Sequence, residues 1–511
     1  MVRTVFSAAT HGIDGYIVVV ETHLEGFIPG YATVGLPDNA VKESKERVLA
    51  AIKNSGFFFP QKRITINLAP ADIRKEGSSY DLPIAIGILA ASGQLNSDHL
   101  DDFIMLGEVS LEGKIRPIHG ALSLALAAQI KGFKAIVLPE VNAGEAAMAP
   151  GIDVYGVTTL SEVVDFLNAD VSLTPIHVDT SDLFSQHSLY PVDLNDVKGQ
   201  DAAKRALEIA AAGSHNLVMI GPPGSGKTML AKRFPTVLPQ LTLNEALETT
   251  KIHSVAGILP PEQPLLATRP YRSPHHTISG PGLIGGGKYP RPGEVSMAHN
   301  GVLFLDELPE YKRNVLEVMR QPMEDTYVTI ARAMTSITYP ARFMLVAAMN
   351  PCPCGYYGDI KNECTCSPVV IQRYRARVSG PLMDRVDIHL EVPSVPFEDL
   401  ASLSQGESSS AVRERVQEAR EIQTKRFKDL NGIYANAHMT SNELQTYCSL
   451  DADGMNLLRS AIDRLGLSAR AYDRILKVGR TIADLEKSDK ILPAHVAEAI
   501  QYRSLDRENI M

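Results

Sequence analysis

Two stretches carry residue types that could do chemistry on a phosphorylated ligand. Gly221-Pro222-Pro223-Gly224-Ser225-Gly226-Lys227-Thr228 has the spacing G-x-x-x-x-G-K-[ST]. Its glycines permit the torsions that turn consecutive N–H groups inward around phosphate oxygens. Lys227 would set a point charge on the β- and γ-phosphates, and Thr228 would offer its hydroxyl to Mg²⁺. The second stretch, Val302-Leu-Phe-Leu305-Asp306-Glu307, is an apolar run ending in two carboxylates, at the end of a strand where open α/β sheets bind ligands. Asp306 would hold Mg²⁺, directly or through water. Glu307 would accept a proton from the attacking water, or orient it. Together they predict binding of a nucleoside triphosphate with Mg²⁺.

A third group suits a metal. Cys352, Cys354, Cys364 and Cys366 stand as two close C-x-C pairs, and four thiolates in that arrangement suit tetrahedral Zn²⁺. The fifth cysteine, Cys448, reads as a small buried hydrophobe. His275 and His276 are adjacent, but no matching ligand spacing follows them.

The chain of 511 residues has room for two to four domains. Its formal net charge of −9 excludes a globally basic nucleic-acid binder, so contact with DNA must come from local patches or a pore. The longest apolar run, 82–91, is too short to span a bilayer. With no N-terminal signal segment evident, the expectation is a cytoplasmic protein without a membrane partner.

Around these motifs the sequence reads as an α/β multidomain protein. Residues 1–170 alternate strands (Tyr16–Glu21, Arg63–Leu68, Ala135–Leu138) with helices (Asp38–Asn54, Ala121–Gln129, Leu160–Leu167). Residues 171–190 mix Ser, Thr, Asp and Pro as a linker does. Residues 191–400 form the nucleotide-binding core, with the cysteine insert at 352–366, and 401–511 form a helical lid. The long segment 251–299 is expected to be one functional insert. Tyr327–Tyr339 reads as a hairpin with Arg332 near its tip, where the side chain could meet phosphate.

The N-terminal third, through Glu76-Gly-Ser-Ser79 and Leu106-Gly-Glu-Val-Ser-Leu-Glu-Gly-Lys114, resembles the Lon-type protease domain (ribosomal S5 domain 2-like). Ser79 falls at that family's nucleophile position. Its dyad lysine position is held by Leu122, and a serine without a base is a poor nucleophile, so a non-catalytic Lon-like module is expected. The core resembles AAA+ proteins. That resemblance implies Asn350, after the apolar run 343–349, as the sensor of the attacking water. It implies Arg385, in Leu382-Met-Asp-Arg385-Val-Asp387, as an arginine finger supplied to a neighbouring subunit, with Arg373, Arg375 and Arg377 close by. Arg470 matches the lid arginine that reads the γ-phosphate better than Arg474 does. The segment holding Lys288 and Arg291 matches a helix-2 insert that projects into a ring pore.

Taken at full length, with Leu-Phe-Leu-Asp-Glu-Leu-Pro-Glu and Ala-Ala-Met-Asn-Pro-Cys-Pro-Cys-Gly, the sequence resembles the ComM/YifB family of magnesium-chelatase-like AAA+ ATPases. The resemblance implies a homo-hexameric DNA helicase working on single-stranded and branched DNA with other recombination proteins. Its activity would be branch migration that extends heteroduplex during natural transformation. The alternatives are a chelatase-like remodeller of a protein or metal-insertion partner, and a Lon-like protease, against which Leu122 stands.

Overall fold

A computed structural model describes residues 2–26, 28–95, 99–178, 184, 190–287, 290–332, 336–359, 361–395, 406–430 and 432–503. The chain divides into two compact units, Met1–His187 with Leu243–Leu266, and Ser188–Thr242 with Ala267–Met511.

The first unit is built on strands β1 (Val2–His11), β2 (Asp14–Glu25), β3 (Gly30–Val34), β4 (Arg63–Ala69), β5 (Phe103–Met105), β8 (Ala135–Pro139) and β9 (Asp153–Val157), with the short ribbon β6 (Glu108–Val109) and β7 (Ile115–Arg116) between them. The main sheet has the order β3-β4-β2-β1-β5-β8-β9. It is mixed: β1–β2 and β2–β4 are antiparallel, and the other neighbours are parallel. The apolar run at 82–91 forms the helix Asp81–Ala91, buried at every position because it packs into the core on all sides. Two glycines permit this helix and the helix Ala121–Ile130 to approach β2 closely. A Cβ on Gly87 would lie 2.4 Å from Thr22 Oγ1, and one on Gly15 would lie 2.5 Å from the Ser123 carbonyl oxygen.

Leu122 sits buried in the helix Ala121–Ile130. Its N–H donates to Oε1 of the buried Glu145 at 2.8 Å. Ser79 lies in the turn before the Asp81–Ala91 helix, where its carbonyl accepts from Gly107 N–H at 3.0 Å. The Nζ of Lys75 donates to the carbonyl oxygens of Pro70 and Ile73.

One sequence expectation is corrected here. Residues 251–299 are not a single insert: Leu243–Ala256 is a helix, and the segment to Leu266 belongs with the first unit. Long-range polar contacts explain this. Ser254 donates its hydroxyl to Glu145 and accepts from Gly120 N–H, and Lys251 pairs with Asp14 at 2.6 Å. Burial pushes the Glu145 carboxyl up, and the Ser254 hydroxyl and the Leu122 N–H offset part of that cost.

The second unit carries β10 (Leu217–Ile220), β11 (Tyr271–Arg272), β12 (Gly285–Gly286), β13 (Arg291–Pro292), β14 (Val302–Leu305), β15 (Tyr327–Ala331), β16 (Ser336–Pro340), β17 (Met344–Met349) and β18 (Ile388–Glu391). Five of these form a parallel sheet, β11-β14-β17-β10-β18, and two hairpins, β12–β13 and β15–β16, stand apart from it. The strands β10, β14 and β17 are buried throughout, as parallel strands covered on both faces must be. Register sets Ile220 beside Met349, and Leu305 beside Ala347. The chain therefore leaves β10 at Gly221, β17 at Asn350 and β14 at Asp306 along one edge of the sheet. A parallel sheet gathers its ligand groups at that edge.

The C-terminal region is helical: Ser409–Arg426, Ser441–Tyr447, Ala452–Leu465, Ala469–Leu485 and Pro493–Gln501. It caps the end of helix Asp201–Gly213, whose last carbonyls lack partners within the helix. Arg420 donates to the carbonyl of Ala211, and Gln423 to that of Ala212. Residues 179–183 and 185–189 of the expected linker, and 401–405 and 504–511 of the expected lid, lie outside the described residues. Among the described residues no helix is long and apolar enough to cross a membrane.

Candidate nucleotide-binding and hydrolysis site

The loop after β10 must leave the sheet and enter the helix Lys227–Val237 within a few residues. Gly221 has no room for a side chain, since a Cβ there would lie 2.0 Å from the Val392 carbonyl oxygen. Gly224 and Gly226 have φ of +76° and +90°, torsions that residues with a Cβ rarely adopt. A Cβ on Gly224 would meet nothing within 4 Å, so that glycine faces open space, as a phosphate cradle requires. Lys227 is buried at the head of the helix. Its ammonium donates to the carbonyls of Gly221 at 2.7 Å and Pro222 at 2.9 Å, and to Asn350 Oδ1 at 3.3 Å. Burial lowers the Lys227 pKa, and the nearby Asp306 carboxylate works against that. Thr228 donates its hydroxyl to Asp306 Oδ2 at 2.8 Å, an all-oxygen pair suited to Mg²⁺. Pro222, Pro223 and Ser225 complete the loop, and the Ser225 carbonyl accepts from Gln200 Nε2 at 2.6 Å.

Glu307 follows in the left-handed region, φ +51°, which turns its side chain out of the β14 direction. Its N–H donates to Asp306 Oδ1 at 2.9 Å, and its carboxylate Oε2 lies 3.1 Å from His276 Nδ1.

The four cysteines converge. Their sulfur atoms all lie within 4.8 Å of one another, with Cys352–Cys354 at 3.3 Å, Cys354–Cys364 at 3.6 Å and Cys352–Cys364 at 3.7 Å. A tetrahedron with Zn–S bonds of about 2.3 Å has S–S edges of about 3.8 Å, so the donor set fits such an ion. Backbone N–H groups of Tyr356 and Thr365 pull Cys354 down to about 6. A backbone N–H also favours the Cys364 thiolate, but burial and its cysteine neighbours outweigh it and push Cys364 up to about 12. The cluster begins two residues after Asn350 and packs on the phosphate loop: a Cβ on Gly355 would lie 2.6 Å from Pro223 Cδ.

The arginines differ in surroundings. Arg385 has a side chain only 7% exposed, bonded to the Pro381 carbonyl and to Glu324, with Nε lacking a partner among the described residues. Arg377 forms a two-bonded pair with Glu310 at 3.0 and 2.9 Å, and Arg375 donates to the Pro351 carbonyl. Arg474 is structural. It holds the buried Asp387 at 2.7 Å; burial would raise that carboxyl, yet Arg474 and His215 outweigh it and keep it well below the usual range. Arg470 is 57% exposed and meets Asp384 at 3.5 Å.

The two hairpins meet each other. Tyr339 of β16 donates its hydroxyl to the Pro290 carbonyl at 2.7 Å, and a Cβ on Gly286 would lie 3.3 Å from Arg332 Nη2. Arg291 and Arg332 are both exposed. Lys288 lies outside the described residues.

Family models described as "Magnesium chelatase, subunit ChlI", "Subunit ChlI of Mg-chelatase" and "Magnesium chelatase, subunit ChlI C-terminal" match residues 193–400, 20–142 and 406–503. Competence protein ComM of Haemophilus influenzae is 47% identical over 509 residues, covering 98% of this chain and 97% of that protein. The chain belongs to the ComM/YifB family of magnesium-chelatase-like AAA+ proteins. The uncharacterized protein YifB of Escherichia coli is 46% identical over 505 residues, 98% of this chain and 97% of its own length. Lon protease 2 of Bacillus subtilis is 30% identical over 141 residues, 27% of this chain and 25% of that one.

Three features of this ComM/YifB-type site escape a reading of the sequence. Gln200 takes a left-handed backbone, φ +56°, to reach the Ser225 carbonyl. His276 meets Glu307 from 31 residues away, and Gly355 meets Pro223 from still further. The adjacent histidines are visible in the sequence, but with no matching ligand spacing after them they point to neither a metal nor a carboxylate partner.

Proposed function

We propose that this protein is an ATP-driven, hexameric DNA motor that promotes branch migration and heteroduplex extension in homologous recombination during natural transformation. The ATPase part is supported by two hydrogen-bonded pairs at the strand ends, Lys227 with Asn350 and Thr228 with Asp306. Lys227 and the loop N–H groups bind the phosphates of ATP, and Thr228 with Asp306 holds Mg²⁺. That ion would neutralise charge on the transferring phosphoryl group. Glu307 takes the proton of the attacking water or orients it, and Asn350 fixes that water's position. Arg385 stabilises the phosphoryl charge in a neighbouring subunit, and Arg470 reads the γ-phosphate in its own. Cys352, Cys354, Cys364 and Cys366 hold Zn²⁺, which braces the loop at Pro223.

The observation that carries the DNA reading is the meeting of the two hairpins, with Arg291 and Arg332 exposed on them. The name of the Haemophilus relative, a competence protein, agrees with it. Phosphate contacts of this kind give affinity without sequence preference. The doubly substituted chain Arg291→Ala/Arg332→Ala is expected to bind labelled single-stranded DNA more weakly and with a shallower salt slope, by roughly 0.7 per lost phosphate contact. Unchanged affinity and slope at unchanged ATP binding would remove the hairpins from the DNA interface.

A further inference from the structure

A concave, basic site lies away from the phosphate loop. A cavity of about 460 Å³ opens between the segment that follows Glu307 and the end of the helix Pro368–Arg375, lined in part by Pro309, Glu310, Arg313, Arg373 and Arg377. Local periodicity puts the arginines there. The helix buries Ile371 and Tyr374, and Val378 continues that face, so Arg373 and Arg377, four residues apart, share the outward one. Burial of Tyr311 and Val315 likewise leaves Arg313 exposed.

The charges in this cavity do not balance. Three guanidinium groups face the single carboxylate of Glu310, in a chain whose formal net charge is −9. Guanidinium groups stay protonated, so the excess is permanent. Glu310 engages only one corner of one fork, because both of its bonds, 3.0 and 2.9 Å, come from Nη1 of Arg377. The Tyr374 ring, 5.8 Å from Cζ, supports the same guanidinium. Arg313 and Arg373 form no hydrogen bond or ion pair among the described residues.

An anion that fills such a site must accept from several directions. A planar carboxylate matches one fork, whereas the tetrahedral oxygens of a phosphate can meet forks from different sides. The volume falls within the roughly 300–1,000 Å³ of small-ligand sites, enough for a phosphate with its sugar. Arg377 and Glu310 are 53% and 43% exposed at the side chain, so the cavity is open to solvent. A strand can lie across it and be held by neighbouring phosphates, as a free nucleotide cannot.

We propose that Arg313, Arg373 and Arg377 bind the phosphodiester backbone of single-stranded DNA, as a site additional to the hairpin arginines Arg291 and Arg332. The site deepens the DNA reading above and rests on it.

The test is fluorescence anisotropy of a labelled single-stranded oligonucleotide over a salt series. The full chain, its nucleotide site filled with a non-hydrolysable ATP analogue, is compared with Arg313→Ala/Arg373→Ala and Arg313→Lys/Arg373→Lys. Thermal unfolding and analogue affinity are followed alongside, and inorganic pyrophosphate is titrated under the same conditions. Each lost phosphate contact is expected to weaken binding about 5-fold at about 0.1 M salt and to flatten the salt slope by roughly 0.7. The alanine pair should therefore bind about 25-fold more weakly, with a slope flatter by roughly 1.4. The lysine pair keeps both charges and is expected to keep the slope. Unchanged affinity and slope in the alanine pair, while the unsubstituted chain binds DNA, overturns the site and leaves the DNA reading standing. An unsubstituted chain that binds no DNA overturns both. A slope that flattens equally in the lysine pair traces the loss to the fold rather than to charge and overturns the site. Pyrophosphate binding lost in the alanine pair at unchanged DNA affinity would assign the cavity to a small phosphorylated ligand instead.

Discussion

Glu307→Gln is expected to bind ATP as tightly as the unsubstituted chain and to hydrolyse it about 10²- to 10⁴-fold more slowly, the usual contribution of a positioned general base. The amide keeps the shape of the carboxylate, and the phosphates are held elsewhere, by Lys227 and the loop. Arg385→Ala is expected to cost about 10³- to 10⁵-fold in the assembled protein, as the loss of an arginine finger does. The two lesions lie in different subunits' sites if Arg385 acts across an interface. Mixing Glu307→Gln chains with Arg385→Ala chains should then restore part of the activity, because some sites receive an intact base and an intact finger. Arg385 is buried against Glu324 and Pro381, so acting on a neighbour requires that it leave these partners. Absence of any recovery in mixed assemblies, at unchanged thermal stability, would assign Arg385 to the fold of its own subunit.

Stripping metal from the cysteine cluster is the second large effect. A structural Zn²⁺ on cysteines contributes about 10–16 kcal/mol of apparent binding free energy, much of it ordering the ligand loop. Here that loop starts beside Asn350 and touches Pro223. Chelation, or Cys364→Ser with Cys366→Ser, is therefore expected to loosen the phosphate loop and weaken ATP binding. Metal analysis of the purified chain should give one zinc ion per chain, falling together with nucleotide affinity. A chain that loses its metal yet binds ATP unchanged would leave the cluster as a local staple only.

The sequence shows its linear motifs well because their physics is local. A phosphate loop needs its glycines and lysine within eight residues, and an apolar strand followed by two carboxylates announces where it ends. The chain leaves its strands at Gly221, Asp306 and Asn350, and the parallel register brings these points abreast. What is not legible is whatever depends on contacts distant in sequence. Nothing near Ser254 reveals that its partner is Glu145, so the helix Leu243–Ala256 reads as part of an insert when it packs with the first unit. Arg385 stands in a recognisable segment, but its burial against Glu324 arises only once the helix Arg320–Asp325 is in place. Nothing near His276 in the sequence points to its partner carboxylate, Glu307, 31 residues away.

ATP hydrolysis at this site is proposed to drive the movement of branched DNA. The direct test is ATP-dependent processing of a labelled four-way DNA junction by the unsubstituted chain beside Glu307→Gln. The unsubstituted chain is expected to resolve the junction into duplex products, while Glu307→Gln binds ATP and leaves the junction intact. A chain that hydrolyses ATP normally but neither binds nor moves any junction would contradict it and favour a chelatase-like remodeller.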